Sequence, residues 1–298
     1  MRHESFDFPD FRANIRRNML RPRFITLLLL AAASLSGCVS VSTAQLPSAG
    51  VTLRKDVVYT PVGWPAPQLA DIYKPTSAAP TPAVLLIHGG GWNDKERRSD
   101  MTGIAKSLAK RGYLVMNVTY RLTPDWKFPA QTDDLGQAIH YIRVNSKELN
   151  IDTTRLATFG YSAGGHLAAL AGLDPSNGVK AIVAGGAPSD LSFWPNGKLT
   201  GLLLDGPLEG NERIYREASP VTHVAKGSPP VFIYHGTKDD LVPIEHPKAF
   251  IEVLEKKGVE HDVYWIEGRS HIFAHLFSAG AIPKAIDFLD KHLQHDRP

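Results

Sequence analysis

The run Leu156-Ala-Thr-Phe-Gly160-Tyr-Ser162-Ala-Gly164-Gly-His166-Leu-Ala-Ala-Leu170 constrains this chain more than any other stretch. An apolar segment ends in Gly-x-Ser-x-Gly, and a helix pattern of small residues follows at once. That order predicts a strand, a tight turn and a helix, with one serine at the apex. Glycines on either side keep a Cβ out of the place where the backbone reverses and accept positive φ at little cost. The serine hydroxyl is thereby pushed out over the end of a sheet, beside a helix N-terminus whose free N–H groups favour negative charge. Ser162 is the candidate nucleophile, and the remaining segments are read for what supports it.

Strand and helix patterns alternate along the chain. Residues 51–60 and 68–73 predict an antiparallel edge pair, and residues 83–87, 113–118, 155–159, 179–184, 230–234 and 261–266 predict further strands. Continuous apolar runs such as Ala83-Val-Leu-Leu-Ile87 suit strands buried on both faces of a parallel sheet. Helical spacing covers 97–111, closed by Gly112, then 131–145 with Leu135, Ile139 and Ile142 on one face, 163–172, 245–257, closed by Gly258, and 279–292. The expected architecture is α/β, a mostly parallel central sheet with helices on both faces. Residues 187–228 are less regular, with Phe193, Trp194 and Leu202–Leu204 among prolines and glycines, and predict one long insertion of the kind that serves as a lid. No internal repeat and no second globular domain is expected.

The first 37 residues differ in kind. Arg16, Arg17, Arg21 and Arg23 precede the apolar run Phe24–Leu35, which ends in Leu35-Ser-Gly-Cys38. A basic region, a short apolar region and small residues before a cleavage point describe a secretory signal over 1–37. The apolar run is too short for a comfortable membrane span. Leu-Ser-Gly-Cys resembles a bacterial lipobox, and Cys38 is the only cysteine in the chain. The resemblance implies lipidation of Cys38, membrane association through it, and export. Val39, standing where aspartate favours the inner membrane, implies the outer membrane. Met19 offers a second translation start with a compact basic region after it. Residues 38–50, rich in Ser, Thr, Ala, Pro and Gly, read as a flexible tether, leaving 51–298 as the globular part.

Residues 1–37 carry six of the 33 Lys and Arg and three of the 30 Asp and Glu, leaving 27 of each sign in the rest. The formal charge of +3 therefore belongs to the leader. No basic stripe remains for nucleic acid. With one cysteine no disulfide forms within the chain, so stability comes from the core. A composition of 43% hydrophobic and 21% charged residues is that of a globular domain and excludes disordered and fibrous classes.

A serine hydroxyl is a weak nucleophile at neutral pH. It needs a base, an acid to orient the base, and donors for the oxyanion. All must lie at the C-terminal ends of strands, where Ser162 points. Among the later histidines, His246, His292 and His295 fall on or beside helices, and His261 starts a strand at the wrong edge. His271, in Glu267-Gly-Arg-Ser-His271, falls in a loop just after a strand, with His275 its near rival. For the acid, Asp239 and Asp240 are adjacent after the 230–234 strand, and Asp190 follows the preceding one. Gly89-Gly90-Gly91 after the 83–87 strand offers backbone donors, as does Ala163 at the helix start. No cofactor or metal is implied.

His88-Gly-Gly-Gly-Trp92, Tyr120-Arg-Leu-x-Pro124 with Phe128-Pro-Ala130, Gly160-Tyr-Ser-Ala-Gly-Gly-His166, His235-Gly-Thr-x-Asp239 with Val242-Pro243, and the late Gly268-x-x-His271 together resemble the α/β-hydrolase superfamily. The nearest resemblance is to hormone-sensitive-lipase-like esterases and the related feruloyl and acetylxylan esterase branch (BD-FAE-like), over the chain from about Val51. It implies Ser162, Asp239 and His271 as a catalytic triad and Gly90, Gly91 and Ala163 as oxyanion donors. It implies hydrolysis of carboxylic esters, with a small-molecule or polymer-linked ester as substrate. Hormone-sensitive-lipase-like enzymes carry a helical N-terminal cap; none is expected here, so the site is expected to be open and suited to short or polysaccharide-linked acyl groups. Trp92, Tyr161, Trp194 and Phe273 are candidates for the pocket lining, and His166 is expected to pack or hydrogen-bond under its helix. The alternatives are an arylformamidase-type amide hydrolase and a catalytically inactive binding lipoprotein on the same fold.

Overall fold

Alternating side chains of the central strands divide between two cores. On the strand Thr81–Ile87, Leu85 and Ile87 join one apolar cluster and Val84 and Leu86 the other. This period of two requires cover on both sides of the sheet. The computed structural model describes residues 50–93, 96–278 and 280–294. The expected signal, Met19, Cys38 and the tether up to residue 49 lie outside the described residues. All described residues belong to the unit Leu46–Pro298.

Eight strands form one sheet: β1 (Val51–Val58), β2 (Leu69–Pro75), β3 (Thr81–Ile87), β4 (Leu114–Val118), β5 (Ile151–Tyr161), β6 (Ala181–Gly185), β7 (Val231–Gly236) and β8 (His261–Ile266). Their order is β1-β2-β4-β3-β5-β6-β7-β8. β1 and β2 pair antiparallel, as do β2 and β4, and every pairing from β4 to β8 is parallel. The helices are α1 (Thr102–Arg111), α2 (Ala130–Val144), α3 (Ser146–Leu149), α4 (Ala163–Leu173), α5 (Lys198–Leu204), α6 (Glu212–Glu217), α7 (Glu245–Lys257), α8 (His271–Leu276) and α9 (Ala281–Leu293). Leu135 and Ile139 of α2, Leu167 of α4 and Leu254 of α7 fill one core, and Leu108 of α1 with Phe288 and Leu289 of α9 the other. Gly112 and Gly258 close α1 and α7 in the left-handed conformation, φ 102° and 65°.

The structure corrects the expected boundaries in two places. β5 begins at Ile151, because Ile151 pairs with Thr81 before the register shifts to Ala83–Leu156. Residues 187–228 are more ordered than an irregular loop: α5, α6 and two single 3-10 turns lie there. Leu191, Leu203, Leu204, Tyr215 and Ala218 of this insertion are core residues. Each piece is too short for helical periodicity to show between its prolines and glycines.

One buried polar cluster fixes the passage from β4 to α2. Asp134, with no exposed side-chain surface, accepts from Arg121 N at 2.7 Å, Arg121 Nε at 2.8 Å and Trp64 Nε1 at 2.7 Å. The guanidinium also donates to Ala130 O at 2.9 Å and lies 5.4 and 5.0 Å from the Trp64 and Trp126 rings. Gln131 Nε2 donates to the Arg121 and Trp126 carbonyls. Here the Tyr-Arg-Leu-x-Pro and Phe-Pro-Ala motifs find their physical purpose. Removing one partner leaves a buried charge without its counter-ion, so Asp134→Ala is expected to cost about 3–5 kcal/mol. Urea unfolding checks this; a loss below about 1 kcal/mol would mean that water reaches the arginine.

Candidate active site

Ser162 stands between β5 and α4 with φ 58° and ψ −127°. Its N–H donates to Gly185 O at 2.8 Å, and its carbonyl accepts from His166 N at 3.0 Å. The flanking glycines answer to packing as much as to the turn. A Cβ on Gly160 would lie 2.1 Å from Gly164 O, and one on Gly164 would lie 2.2 Å from Ile87 O. Any side chain at either position would drive α4 off the ends of β3 and β5.

The other two candidate residues arrive from the next strand ends. His271 Nε2 is 2.8 Å from Ser162 Oγ, and His271 Nδ1 is 2.7 Å from Asp239 Oδ2. With Nδ1–H donating to the carboxylate, the Nε2 lone pair faces the serine hydroxyl. Asp239, whose side chain is wholly buried, turns its other oxygen to Leu241 N at 3.0 Å and Val242 N at 2.7 Å. The carboxylate is thus fixed by its own loop. His271 is the first residue of α8, not the loop residue expected, because Ser270 in extended conformation starts the helix there.

The rivals have other employment. His275 is not a surface histidine: its ring stacks on Tyr161 at 4.7 Å, further along α8. Asp190 Oδ1 accepts from Ser192 N at 3.0 Å and Ser192 Oγ at 2.6 Å, a local turn staple. Asp240 is exposed.

The glycine loop lies against the serine turn. A Cβ on Gly89 would come 3.2 Å from Ser162 Cβ. Gly90 and Gly91 have φ 114° and 61°. Neither of their amides is taken by an acceptor among the described residues. Ala163 is the first residue of α4, so its N–H has no intrahelical acceptor. Three free donors therefore flank the serine side of the sheet edge.

The expected pocket lining needs correction at two positions. Trp92 and Tyr161 are buried, at 2% and 3% exposure, since both rings pack into the cores and both polar atoms find protein partners. Trp194 is partly buried with its ring 4.4 Å from His246, and Phe273 is about half exposed. Phe193, Leu199, Leu241, Ile272 and Phe277 are also exposed apolar side chains, on the loops and short helices that follow β6, β7 and β8.

Two functional contacts escape sequence reasoning. Tyr161 Oη donates to the His271 carbonyl at 2.7 Å, and its ring lies 5.1 Å from the His271 imidazole. His235 Nε2 donates to Val242 O at 2.8 Å and lies 3.4 Å from Asp239 Oδ2. Both residues sit inside recognised motifs, yet their roles depend on partners about 110 and 7 residues away that only the fold supplies. Tyr161→Phe keeps the ring and frees the His271 carbonyl. A fall of about 3–10-fold in turnover, with a melting temperature lower by about 2–4 °C, is expected from the loss of one neutral hydrogen bond of about 1 kcal/mol.

Several histidines are held neutral by burial. The pKa of His166 and of His246 is pushed down to about 4 from 6.5, in each case chiefly because the ring is out of water. Burial also lowers His88, His235 and His275. The unfolded chain then binds protons first, so stability is full above pH 6.5 and is lost as pH falls toward 4. For His166 and His246 the loss is on the order of 3 kcal/mol each across that window. Urea midpoints that stay level between pH 7 and 4.5 would contradict this.

The sheet order, the serine elbow and the hydrogen-bonded line Ser162–His271–Asp239 define an α/β-hydrolase fold. Residues 70–254 match the family described as BD-FAE, and the chain belongs to that family. Esterase LipC of Mycobacterium tuberculosis is 28% identical over 255 residues, 78% of this chain and 62% of its own length. The chain spans about half of the next curated relatives it matches, at 52% and 53%. Among solved structures, a truncated carbohydrate esterase from gut microbiota superimposes with a TM-score of 0.75 at 23% identity, over 83% of this chain and 98% of its own. A thermophilic esterase of Thermogutta terrifontis gives 0.68 at 26% identity, over 85% and 96%, and has also been solved with butyrate and with propionate bound.

Proposed function

We propose that this protein is a carboxylic ester hydrolase that works through an acyl-enzyme on Ser162. The observation that carries the reading is the line of two hydrogen bonds, 2.7 and 2.8 Å, from Asp239 through His271 to Ser162. His271 takes the Ser162 proton as the hydroxyl attacks the ester carbonyl. The developing oxyanion is received by the N–H groups of Gly90, Gly91 and Ala163. His271 then gives the proton to the leaving alcohol, and water repeats the sequence on the acyl-enzyme. Asp239 keeps the imidazole in the tautomer that leaves Nε2 free for the serine. The Thermogutta esterase with butyrate and propionate bound supports short acyl groups, and the reading includes those hanging from a polysaccharide.

Ser162→Ala is expected to lose fluorophosphonate labelling and to lower turnover of p-nitrophenyl acetate by at least ~10⁴-fold. Equal labelling of wild type and variant, or no labelling of wild type, would sink the esterase and favour a binding protein on this fold. A panel from p-nitrophenyl acetate to decanoate, with methyl ferulate, acetylated xylan and N-formylkynurenine, ranks the substrates. Preference for decanoate contradicts the short-acyl reading, and preference for the formamide favours the amide hydrolase.

The leader supports an exported lipoprotein anchored through Cys38 in the outer membrane. Incorporation of labelled palmitate into wild type, and its loss with release from the membrane fraction in Cys38→Ser, is the expected result. A Cys38→Ser protein that still sediments with membranes would contradict the anchor.

A further inference from the structure

We infer that His166 is a positioning residue that sets the oxyanion loop against the serine helix, by linking Trp92 to the end of α6. This inference rests on the esterase reading and says which side chain keeps its donor set in register. The loop turns through two successive left-handed residues, Gly91 at φ 61° and Trp92 at φ 60°, closed by Asn93 N donating to Gly90 O at 3.1 Å. A glycine adopts that conformation freely; a tryptophan does so only where its surroundings over-determine it. Trp92 is held at both ends. Its carbonyl accepts from Thr123 N at 2.9 Å, and its indole N–H donates to His166 Nδ1 at 3.1 Å, with the rings edge-on at 5.0 Å and 79°.

Because Nδ1 accepts, the proton of the neutral ring is on Nε2, which donates to Ala218 O at 2.7 Å. Ala218 caps α6, where a helix leaves carbonyls without partners. Both nitrogens of a fully buried imidazole are thus committed. The same residue is fixed to the nucleophile's turn, since its own N–H donates to Ser162 O at 3.0 Å. The insertion meets the glycine loop a second time, where Leu199 Cδ1 lies 2.8 Å from the place a Gly91 Cβ would occupy. One histidine on the serine's helix therefore ties Gly90 and Gly91, at one end, to the insertion at the other. Shifting those amides weakens the transition state more than the bound ester, because the oxyanion needs donors at a position the ground-state carbonyl does not occupy.

The test uses the full chain and four variants. Trp92→Phe removes the indole N–H and keeps an aromatic ring. His166→Leu removes both bonds. His166→Asn restores an acceptor close to the Nδ1 position. The double variant Trp92→Phe/His166→Leu measures coupling. Both single losses are expected to lower kcat for p-nitrophenyl acetate about 10–100-fold, with KM within about 3-fold. Affinity for a trifluoromethyl ketone should fall in parallel with kcat/KM. The double variant is expected to match the worse single, and His166→Asn to return within about 5-fold of wild type. Wild-type kcat in Trp92→Phe overturns the inference, as does a loss confined to KM or a double variant equal to the product of the singles. If His166→Leu does not fold, Trp92→Phe and His166→Asn decide alone. A wild type that neither labels with fluorophosphonate nor hydrolyses esters defeats the esterase reading instead, an outcome separate from these.

Discussion

The structure depends on how closely the first turn of α4 can approach the ends of β3 and β5. Ser162 occupies a backbone conformation, φ 58° and ψ −127°, that costs a non-glycine residue about 1–3 kcal/mol. It persists because the neighbours leave no alternative: Gly160 and Gly164 face backbone oxygens at distances where no Cβ fits, and a Cβ on Gly165 would lie 2.7 Å from Gly185 O. Small residues thus convert core packing into a raised hydroxyl. The helix start that the same packing delivers also supplies Ala163 N–H. The candidate nucleophile and one candidate oxyanion donor are consequences of one steric constraint.

Around that elbow, the protein treats its histidines in two ways. His166, His246, His235 and His88 are buried, and burial holds their pKa values down. They behave as rigid neutral connectors with fixed tautomers. His246, for example, accepts from Ser189 N and lies under Phe193 and Trp194, fixing the start of the insertion. His271 alone is aligned between a carboxylate and a hydroxyl. The contrast is one of partners: carbonyls and amides bond the connectors, although His235 also lies 3.4 Å from Asp239 Oδ2, whereas His271 bonds a carboxylate and a serine hydroxyl.

How much of this was legible in the sequence follows from the range of each constraint. The elbow, the strand ends and the helix closures at Gly112 and Gly258 are local, and local sterics write themselves into residue type. Selecting His271 needed one further rule, that functional loops share the C-terminal edge of a parallel sheet, while Asp239 was separated from Asp240 and Asp190 only by the family resemblance. What stayed hidden involves partners brought together by the fold. Trp92 reads equally well as pocket or core until His166 is found beneath it. Tyr161 reads as part of the elbow, while its hydroxyl serves a carbonyl on another loop. The insertion reads as irregular because α5 and α6 span seven and six residues, too short for a period to emerge.

That insertion is better understood as a wall than as a lid. A lid must leave and return, and so is drawn from segments with few buried apolar contacts. Here Leu203 and Tyr215 are fully buried in the same core as α2 and α4, Phe128 N donates to Leu203 O at 2.9 Å, and Ser189 N donates to His246 Nδ1 of α7 at 3.2 Å. Moving the whole segment would expose this apolar surface and break those bonds together. Of its large apolar side chains, Phe193 and Leu199 are the ones exposed to solvent. A wall of this kind, with apolar tips at Phe193 and Leu199, meets the glycine loop where Leu199 Cδ1 lies 2.8 Å from the place a Gly91 Cβ would occupy.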